Sequence, residues 1–329
     1  MRIAIDAMGG DNAPYEIVKG TYDYAIENGG IEIVLIGDEV KINDCFAQMS
    51  VEKPQNITIV HTNVVVTMED DPMVVMKEKN NSSLAIGLKL LKEKGADAFV
   101  SAGSTGALHT ASTLIVRRIK GVRRSAIAAI IPFEKPILML DSGANPEVTE
   151  DILNQWAVVG STYFSNMFGK DKPRVGLLNN GTEEHKGTPV MVNAYKLLKE
   201  NKNINFVGNI ESRELPNGPC DVLITDGFTG NITLKLIEGM GSFMFSTLKT
   251  MFTKSLWTKL SFLVMKKHLK SLKKSFDASE YGGAPLLGLS MPVIKAHGSS
   301  KAKDIKSAIR QAVLYSESKL IEKVTETLN

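Results

Sequence analysis

Short runs of β-branched and aliphatic residues alternate with longer helix-period segments along nearly the whole chain, and this restricts the fold most. Strands are expected near 2–6, 31–36, 57–61, 97–101, 126–131, 137–141, 174–178, 204–208 and 221–225. Helices are expected near 15–28, 38–49, 83–94, 105–119, 149–168, 188–201, 229–252, 256–274 and 302–327. Runs such as IEIVLIG and DVLITDG are apolar at successive positions, as strands covered by helices on both faces must be. The fold class that follows is a three-layer α/β/α sandwich on a mostly parallel sheet. With 329 residues, 43% of them hydrophobic, the chain can bury a large core unaided. No internal repeat or low-complexity linker stands out, so one domain over 1–329 is expected, with a helical hairpin over 229–275 projecting from it.

Most of these strands end in small, polar or acidic residues. Asp6-Ala-Met-Gly-Gly10 follows the first strand, and Ser101-Ala-Gly103-Ser104-Thr105-Gly106 the fourth. Later come Asp141-Ser-Gly143-Ala-Asn145, Asn179-Asn-Gly181-Thr182-Glu183 and Asp226-Gly227-Phe-Thr229-Gly230-Asn231. In parallel sheets ligands bind at the carboxyl ends of strands, where glycine admits close backbone approach and helix N-termini attract anions. For any single loop a turn or capping role is the alternative. Five such loops on one expected edge point to a ligand cleft.

Neither a Walker A sequence nor GxGxxG occurs, so nucleotide fingerprints are absent. SAGSTGALHTA offers hydroxyls and glycine amides to a small anion, or an ordinary helix cap. PVIKAHGSS places Lys295, His297, Ser299 and Ser300 before the last helix. His297 is the general acid/base candidate, with a structural hydrogen-bonding role as its alternative. The two cysteines, Cys45 and Cys220, have no metal-ligand spacing and no place on a strand-end loop. With no GxSxG elbow either, covalent catalysis by the protein is disfavoured, and no metal or cofactor is expected. No run of 18 apolar residues appears and the N-terminus lacks a secretory pattern, so a cytoplasmic protein is expected.

Taken together, MRIAIDAMGGDNAP, SAGSTGAL, GTEEHKG, DGFTGNITLK, YGGAPLLG and PVIKAHGSS resemble the bacterial acyl-acyl-carrier-protein:phosphate acyltransferases of phospholipid synthesis, from residue 1 to about 315. The resemblance implies a Rossmann-like α/β/α fold related to phosphotransacetylases and isocitrate-type dehydrogenases. It further implies homodimers, peripheral membrane association and transfer of a long fatty acyl group from acyl carrier protein to inorganic phosphate. The acyl phosphate would feed a membrane glycerol-3-phosphate acyltransferase. The chain departs from the family pattern at Asn12, where His is common, at Ser104, where Asn is usual, and at Asn180, where Val is frequent.

Bound phosphate needs positioning more than activation, so the expected roles are electrostatic. Ser101, Gly103, Ser104, Thr105, Gly106, Lys295 and Ser299 are the phosphate candidates, with help from Lys186. Backbone amides at Gly227, Thr229, Gly230 and Asn231 are the candidates for the oxyanion. His297 would protonate the departing thiolate, and Asp6 or Asp226 would orient donors. An acyl-coenzyme A:phosphate transferase and a non-enzymatic membrane adaptor are the rival readings.

Net charge is only +3, but residues 239–276 hold eight Lys and no acid. Trp257, Leu260 and Phe262, with Leu256 and Leu263, set apolar groups beside those lysines, the pattern of an interfacial helix tip. Packing in the core or in a dimer is the alternative for the hairpin base. A second basic run, RRIKGVRR, offers Arg118, Lys120 and Arg124 to an acidic carrier protein, or simply to solvent.

Overall fold

The computed structural model describes residues 1–255, 257–258, 260–262, 265–267, 269 and 282–328. Among them, one sheet of eleven strands runs through the molecule in the order β3-β2-β1-β4-β11-β10-β5-β6-β9-β7-β8. The strands are β1 (Arg2–Asp6), β2 (Glu32–Gly37), β3 (Ile57–His61), β4 (Ala98–Ser101), β5 (Ala126–Ile131), β6 (Ile137–Leu140), β7 (Arg174–Asn179), β8 (Asn205–Glu211), β9 (Val222–Ile224), β10 (Ala284–Leu287) and β11 (Val293–Lys295). The helices are α1 (Tyr15–Ala25), α2 (Glu39–Gln48), α3 (Ser83–Lys92), α4 (Thr105–Ile115), α5 (Glu150–Phe168), α6 (Pro189–Glu200), α7 (Gly227–Thr253), α8 (Ala302–Glu317) and α9 (Leu320–Leu328). The α/β/α class and the mostly parallel pairing expected from the strand runs are both present.

Three features differ from expectation. Strands β10 and β11 lie in the middle of the sheet, where the sequence reads as loop. They are short and flanked by Gly282, Gly283, Gly288 and Pro292, with Pro285 inside β10, and such residues hide a strand from a propensity reading. The last expected helix is interrupted at Ser318 and Lys319, where Lys319 takes a left-handed φ of 51° and α9 starts afresh. The third difference concerns direction. β11 and β4 are parallel, β10 is antiparallel to both β11 and β5, and β5 is antiparallel to β6. Strands β1–β5 and β11 therefore run one way and β6–β10 the other. Consequently, the strand-end loops sit on two opposite edges, not one.

The two halves also resemble each other, although no repeat is evident along the sequence. Strand β4 runs into Ser101-Ala-Gly-Ser-Thr-Gly-Ala-Leu108 and α4, while β9 runs into Thr225-Asp-Gly-Phe-Thr-Gly-Asn-Ile232 and α7. Each is joined in the ladder to a strand that leads into an aspartate, Asp6 at the end of β1 and Asp141 after β6.

Alternation along the strands divides the core by face. Ile3, Ile5, Leu138 and Leu140 pack on the layer of α1, α2, α5, α6, α8 and α9. On the other face Ala4, Val34, Ile36 and Phe99 pack against α3 and α4, whereas Ile131, Met139 and Leu223 meet Leu234 and Ile237 of α7. On this second face one helix pair covers the first half-sheet and a different helix covers the second. The central strands between them are left as the floor of a cleft.

Candidate active site

That cleft has a volume of about 1050 Å³. Its floor is Ile127, Ala129 and Ile130 of β5, with Pro132 beyond. One wall is the start of α4 at Thr105 together with Ser142 and Gly143. The opposite wall is one face of α7, from Asn231 to Phe245. Gly282–Ala284, Lys295, His297, Lys301, Lys303 and Asp304 close the remaining side. The loops from the two sheet edges therefore meet after all, over the seam between half-sheets. Lys295, Lys301 and Lys303 gather near Thr105 and His297, while the apolar lining comes from β5 and from Leu234, Ile237 and Phe245 of α7, a helix that also brings Asn231, Lys235, Glu238 and Ser242. Glu238 and Asp304 are the acids that line it.

Lys295 is the least ordinary group here. The β11 register sets it beside Ser101, and it is only 8% exposed. Its Nζ donates to the backbone carbonyls of Ala102, at 3.3 Å, and Ala296. Burial drives its pKa down to about 8, against the upward pull of Asp6 and Asp11. Asp6 is buried as well, and desolvation raises its carboxyl above the usual range. Its Oδ2 accepts from Ser101 Oγ at 2.7 Å, and Ser101 Oγ accepts from the Gly103 amide at 3.0 Å. A side chain at Gly9 would strike Asp6 Oδ2 at 2.5 Å and the Gly103 amide nitrogen at 2.7 Å, so only glycine lets these two loops touch.

Placing the expected anion ligands on this frame sorts them. The Ser101 hydroxyl is spent on Asp6, and the Gly103 amide on Ser101 Oγ. Ser104 is the N-cap of α4, its Oγ accepting from Ala107 at 3.4 Å. Thr105 and Gly106 follow it in the first turn, where helix amides have no carbonyl one turn back. Of the anion candidates, Thr105 and Lys295 line the cleft, while Gly106 is exposed one residue further along. Ser299 is directed to His297: its Oγ lies 2.8 Å from Nδ1, and its amide donates to Nδ1 at 3.2 Å. That amide makes Nδ1 an acceptor, so a neutral His297 carries its proton on Nε2. Asn12 ties down the same loop by donating to Ser299 O at 3.0 Å and Ser300 O at 3.3 Å.

The turn before α7 has less to offer an oxyanion than its glycines suggest. Asp226 caps the helix, accepting from the Thr229 amide at 2.8 Å and the Thr229 hydroxyl at 2.7 Å. The Gly227 amide donates to Asn145 O at 2.8 Å, and that of Gly230 to Asp226 O at 2.9 Å. Those three amides are committed. The Asn231 side chain, which touches the space a Gly143 Cβ would fill, is the donor left facing the cleft. Asp141 is an anchor: its two oxygens accept the amides of Ile127, Gly143, Ala144 and Asn145.

Other expected residues stand apart from the cleft. Lys186 lies in the exposed loop after β7 and is not part of its lining. Arg118, Lys120 and Arg124 are exposed between α4 and β5, with Arg124 donating to Glu147 O at 3.2 Å. Trp257 is 81% exposed, and Leu260 and Phe262 are exposed beside it. Leu256 and Leu263 lie outside the described residues. Both cysteines are buried, and burial pushes the Cys220 thiol up to about 12, away from nucleophilic use. Among the described residues no His, Cys, Asp and Glu group could hold a metal ion, and no helix is long and apolar enough to cross a membrane.

Comparison with known proteins bears on the family and the fold. A family model described as "Fatty acid synthesis protein" matches residues 1–323. A phosphate acyltransferase of Oceanobacillus iheyensis is 47% identical over 330 residues, covering 100% of this chain and 97% of that protein. One from Alkaliphilus oremlandii is 44% identical over 327 residues, covering 99% and 97%. Among solved structures, a phosphotransacetylase from Streptococcus pyogenes superposes with a TM-score of 0.66 at 17% identity, covering 96% of this chain and 94% of that one. The EutD phosphotransacetylase from Staphylococcus aureus gives 0.61 at 18% identity, covering 97% and 94%. At such identities these two speak for the fold alone.

Proposed function

The chain belongs to the fatty acid synthesis protein family that includes the phosphate acyltransferases, and from that premise we propose that it moves a fatty acyl group from acyl carrier protein to inorganic phosphate in the cleft over the half-sheet seam. It is an acyltransferase of fatty acid and phospholipid synthesis. The observation that supports the site is one cleft that sets Lys295, Lys301 and Lys303 beside apolar lining from β5 and from Leu234, Ile237 and Phe245 of α7. A phosphate and a fatty thioester need those two environments in contact.

In this reading phosphate rests on the first-turn amides of α4 at Thr105 and Gly106 and against the Lys295 ammonium. One phosphate oxygen attacks the thioester carbonyl, forming the new C–O bond. The Asn231 carboxamide donates to the oxyanion, and a well-placed donor of this kind contributes about 3 kcal/mol. The C–S bond then breaks, and His297, entering the step as imidazolium with Nδ1–H donating to Ser299 Oγ, passes its Nε2 proton to the departing thiolate and is left as neutral imidazole. Asp6 acts through Ser101 and the Gly103 amide, holding the two loops that frame the anion. Lys186 and the amides of Gly227, Thr229 and Gly230 have no direct part.

Partners follow from the surface. The exposed Arg118, Lys120 and Arg124 suit an acidic carrier protein. Trp257, Leu260 and Phe262 beside lysines suit the interface of an anionic membrane, giving a cytoplasmic protein held peripherally next to the downstream acyltransferase. The outer face of α7 exposes Phe228, Ile232, Leu236, Met240, Phe243 and Met251 at helical spacing, and a second copy of the chain would cover this stripe as a homodimer.

The test is direct. Purified protein is incubated with phosphate and palmitoyl thioesters of carrier protein or coenzyme A, and acyl phosphate is trapped with hydroxylamine. Product from the carrier-protein thioester is expected. Product from the coenzyme A thioester alone would replace the donor, and no product from either would end the reading.

A further inference from the structure

Helix α7 turns one continuous face to the cleft from Asn231 to Phe245. Fourteen residues at 1.5 Å each carry that face about 21 Å. Leu234, Ile237 and Phe245 are its apolar members, opposite Ile127 and Ile130 of β5, and Lys235, Glu238 and Ser242 share the face. At Gly241 the wall has no side chain, and a Cβ built there would meet nothing within 4 Å. The groove therefore stays open beyond this point. A glycine within a helix of 27 residues lowers helix stability, so local propensity does not account for it.

We propose that this face of α7 is the acyl-chain subsite and that Gly241 sets the length of chain it accepts. The inference rests on the acyl-transfer reading above. Carbon–carbon bonds of about 1.5 Å advance an extended chain ~1.25 Å each, so the whole face takes roughly sixteen carbons. The ten residues from Asn231 to Gly241 span about 15 Å, room for roughly twelve. A side chain at 241 would stop the chain there.

Steady-state kinetics with phosphate and carrier-protein thioesters of eight to eighteen carbons would test this in wild type, Gly241→Leu, Gly239→Leu and Phe245→Ala. Gly239 also has open space at its Cβ but does not line the cleft, so its variant controls for the change in helix propensity. In the wild type, kcat/KM should climb about threefold to fourfold per methylene up to roughly sixteen carbons. Gly241→Leu should match wild type up to about twelve carbons and fall at least tenfold below it at sixteen, while Gly239→Leu tracks wild type throughout. Phe245→Ala should move the optimum to longer chains, which keeps the proposal testable if Gly241→Leu folds poorly. A Gly241→Leu profile parallel to wild type, or one shared by Gly239→Leu, would overturn the subsite. A wild type inactive with every length would instead overturn the acyl-transfer reading.

Discussion

Lys295 shows how one residue ties the fold to the chemistry. Its ammonium is nearly buried and held by backbone carbonyls, with no direct carboxylate partner among the described residues, and in the proposed reading it meets the phosphate. With its pKa lowered to about 8, the cation is present below pH 8 and lost above it, well before an ordinary lysine at about 10.4. Phosphate binding should therefore weaken as pH rises through 8, a range in which phosphate itself is already dianionic. The KM for phosphate, measured between pH 6.5 and 9.5, should rise along that limb. Lys295→Met should raise it at least tenfold at pH 7, and Lys295→Arg should flatten the limb because guanidinium does not deprotonate there. A limb unchanged in Lys295→Arg would detach the pH dependence from this side chain. The stability sign is opposite. Because the folded pKa lies below the unfolded one, the buried cation destabilises below pH 8, and that cost fades as pH rises from 8 toward 10.5. Part of the candidate site is legible in the sequence, since Lys295, His297 and Thr105, which line one cleft, stand on recognisable strand-end motifs. What is not legible is which acid does what. Asp6 and Asp141 look alike in sequence, each an aspartate after an apolar strand followed by glycine. Asp141 gathers amides from its own loop and β5, whereas Asp6 faces Ser101 and the field of Lys295. Those partners lie far along the chain and are seen only in space.

At the scale of the element, α7 is the instructive case. Its span is close to the expected 229–252, because apolar residues repeat at helical spacing from Leu234 onward. The role of its first turn is not what the glycines suggest. DGFTGN reads as a cradle of free amides, yet Asp226 caps the helix and the Asn145 carbonyl takes the Gly227 amide. The consequences are separable. Asp226→Ala removes a cap, so it should cost about 1 kcal/mol, read as a lower Tm. Asn231→Ala removes the remaining cleft-facing donor and should leave Tm near wild type while lowering kcat about a hundredfold. If Asp226→Ala cut kcat as deeply as Asn231→Ala with no loss of Tm, the cap assignment would fail and the aspartate would belong to the chemistry. The same element carries apolar residues on two faces, one lining the cleft beside Lys235, Glu238 and Ser242 and one exposed, and a single-helix hydrophobic pattern cannot say which is which. Only the placement of α7 over β6 and β9 separates them.

For the whole molecule, the class of fold is legible and its central device is not. Apolar strands alternating with helices announce a covered sheet, but nothing local announces that β5 and β6 pair antiparallel and reverse the second half. The glycine- and proline-bearing β10 and β11 that stitch the halves together read as loop for the same reason, since their pairing is supplied by distant strands. The reversal leaves the second face uncovered at the seam, and the cleft is its direct result. It also gives the molecule a direction. Helix α7 starts at Gly227, passes Asn231 at the cleft and ends at Thr253, and Trp257, Leu260 and Phe262 follow, exposed. An acyl chain lying along α7 would thus point from the reacting carbonyl toward the apolar tip. Lysines clustered in 239–276 add about 1 kcal/mol each where they approach an anionic leaflet, so three or four of them rival the apolar contribution. Trp257→Glu/Leu260→Glu should therefore lose flotation with vesicles containing phosphatidylglycerol, and raising the salt concentration should weaken wild-type flotation, because the lysine share is screened. Turnover of soluble carrier-protein thioester should stay within about twofold of wild type, since neither residue lines the cleft. Undiminished flotation of the double variant would move membrane contact to another surface, and a parallel collapse of turnover would mean that the tip supports the cleft instead of the bilayer.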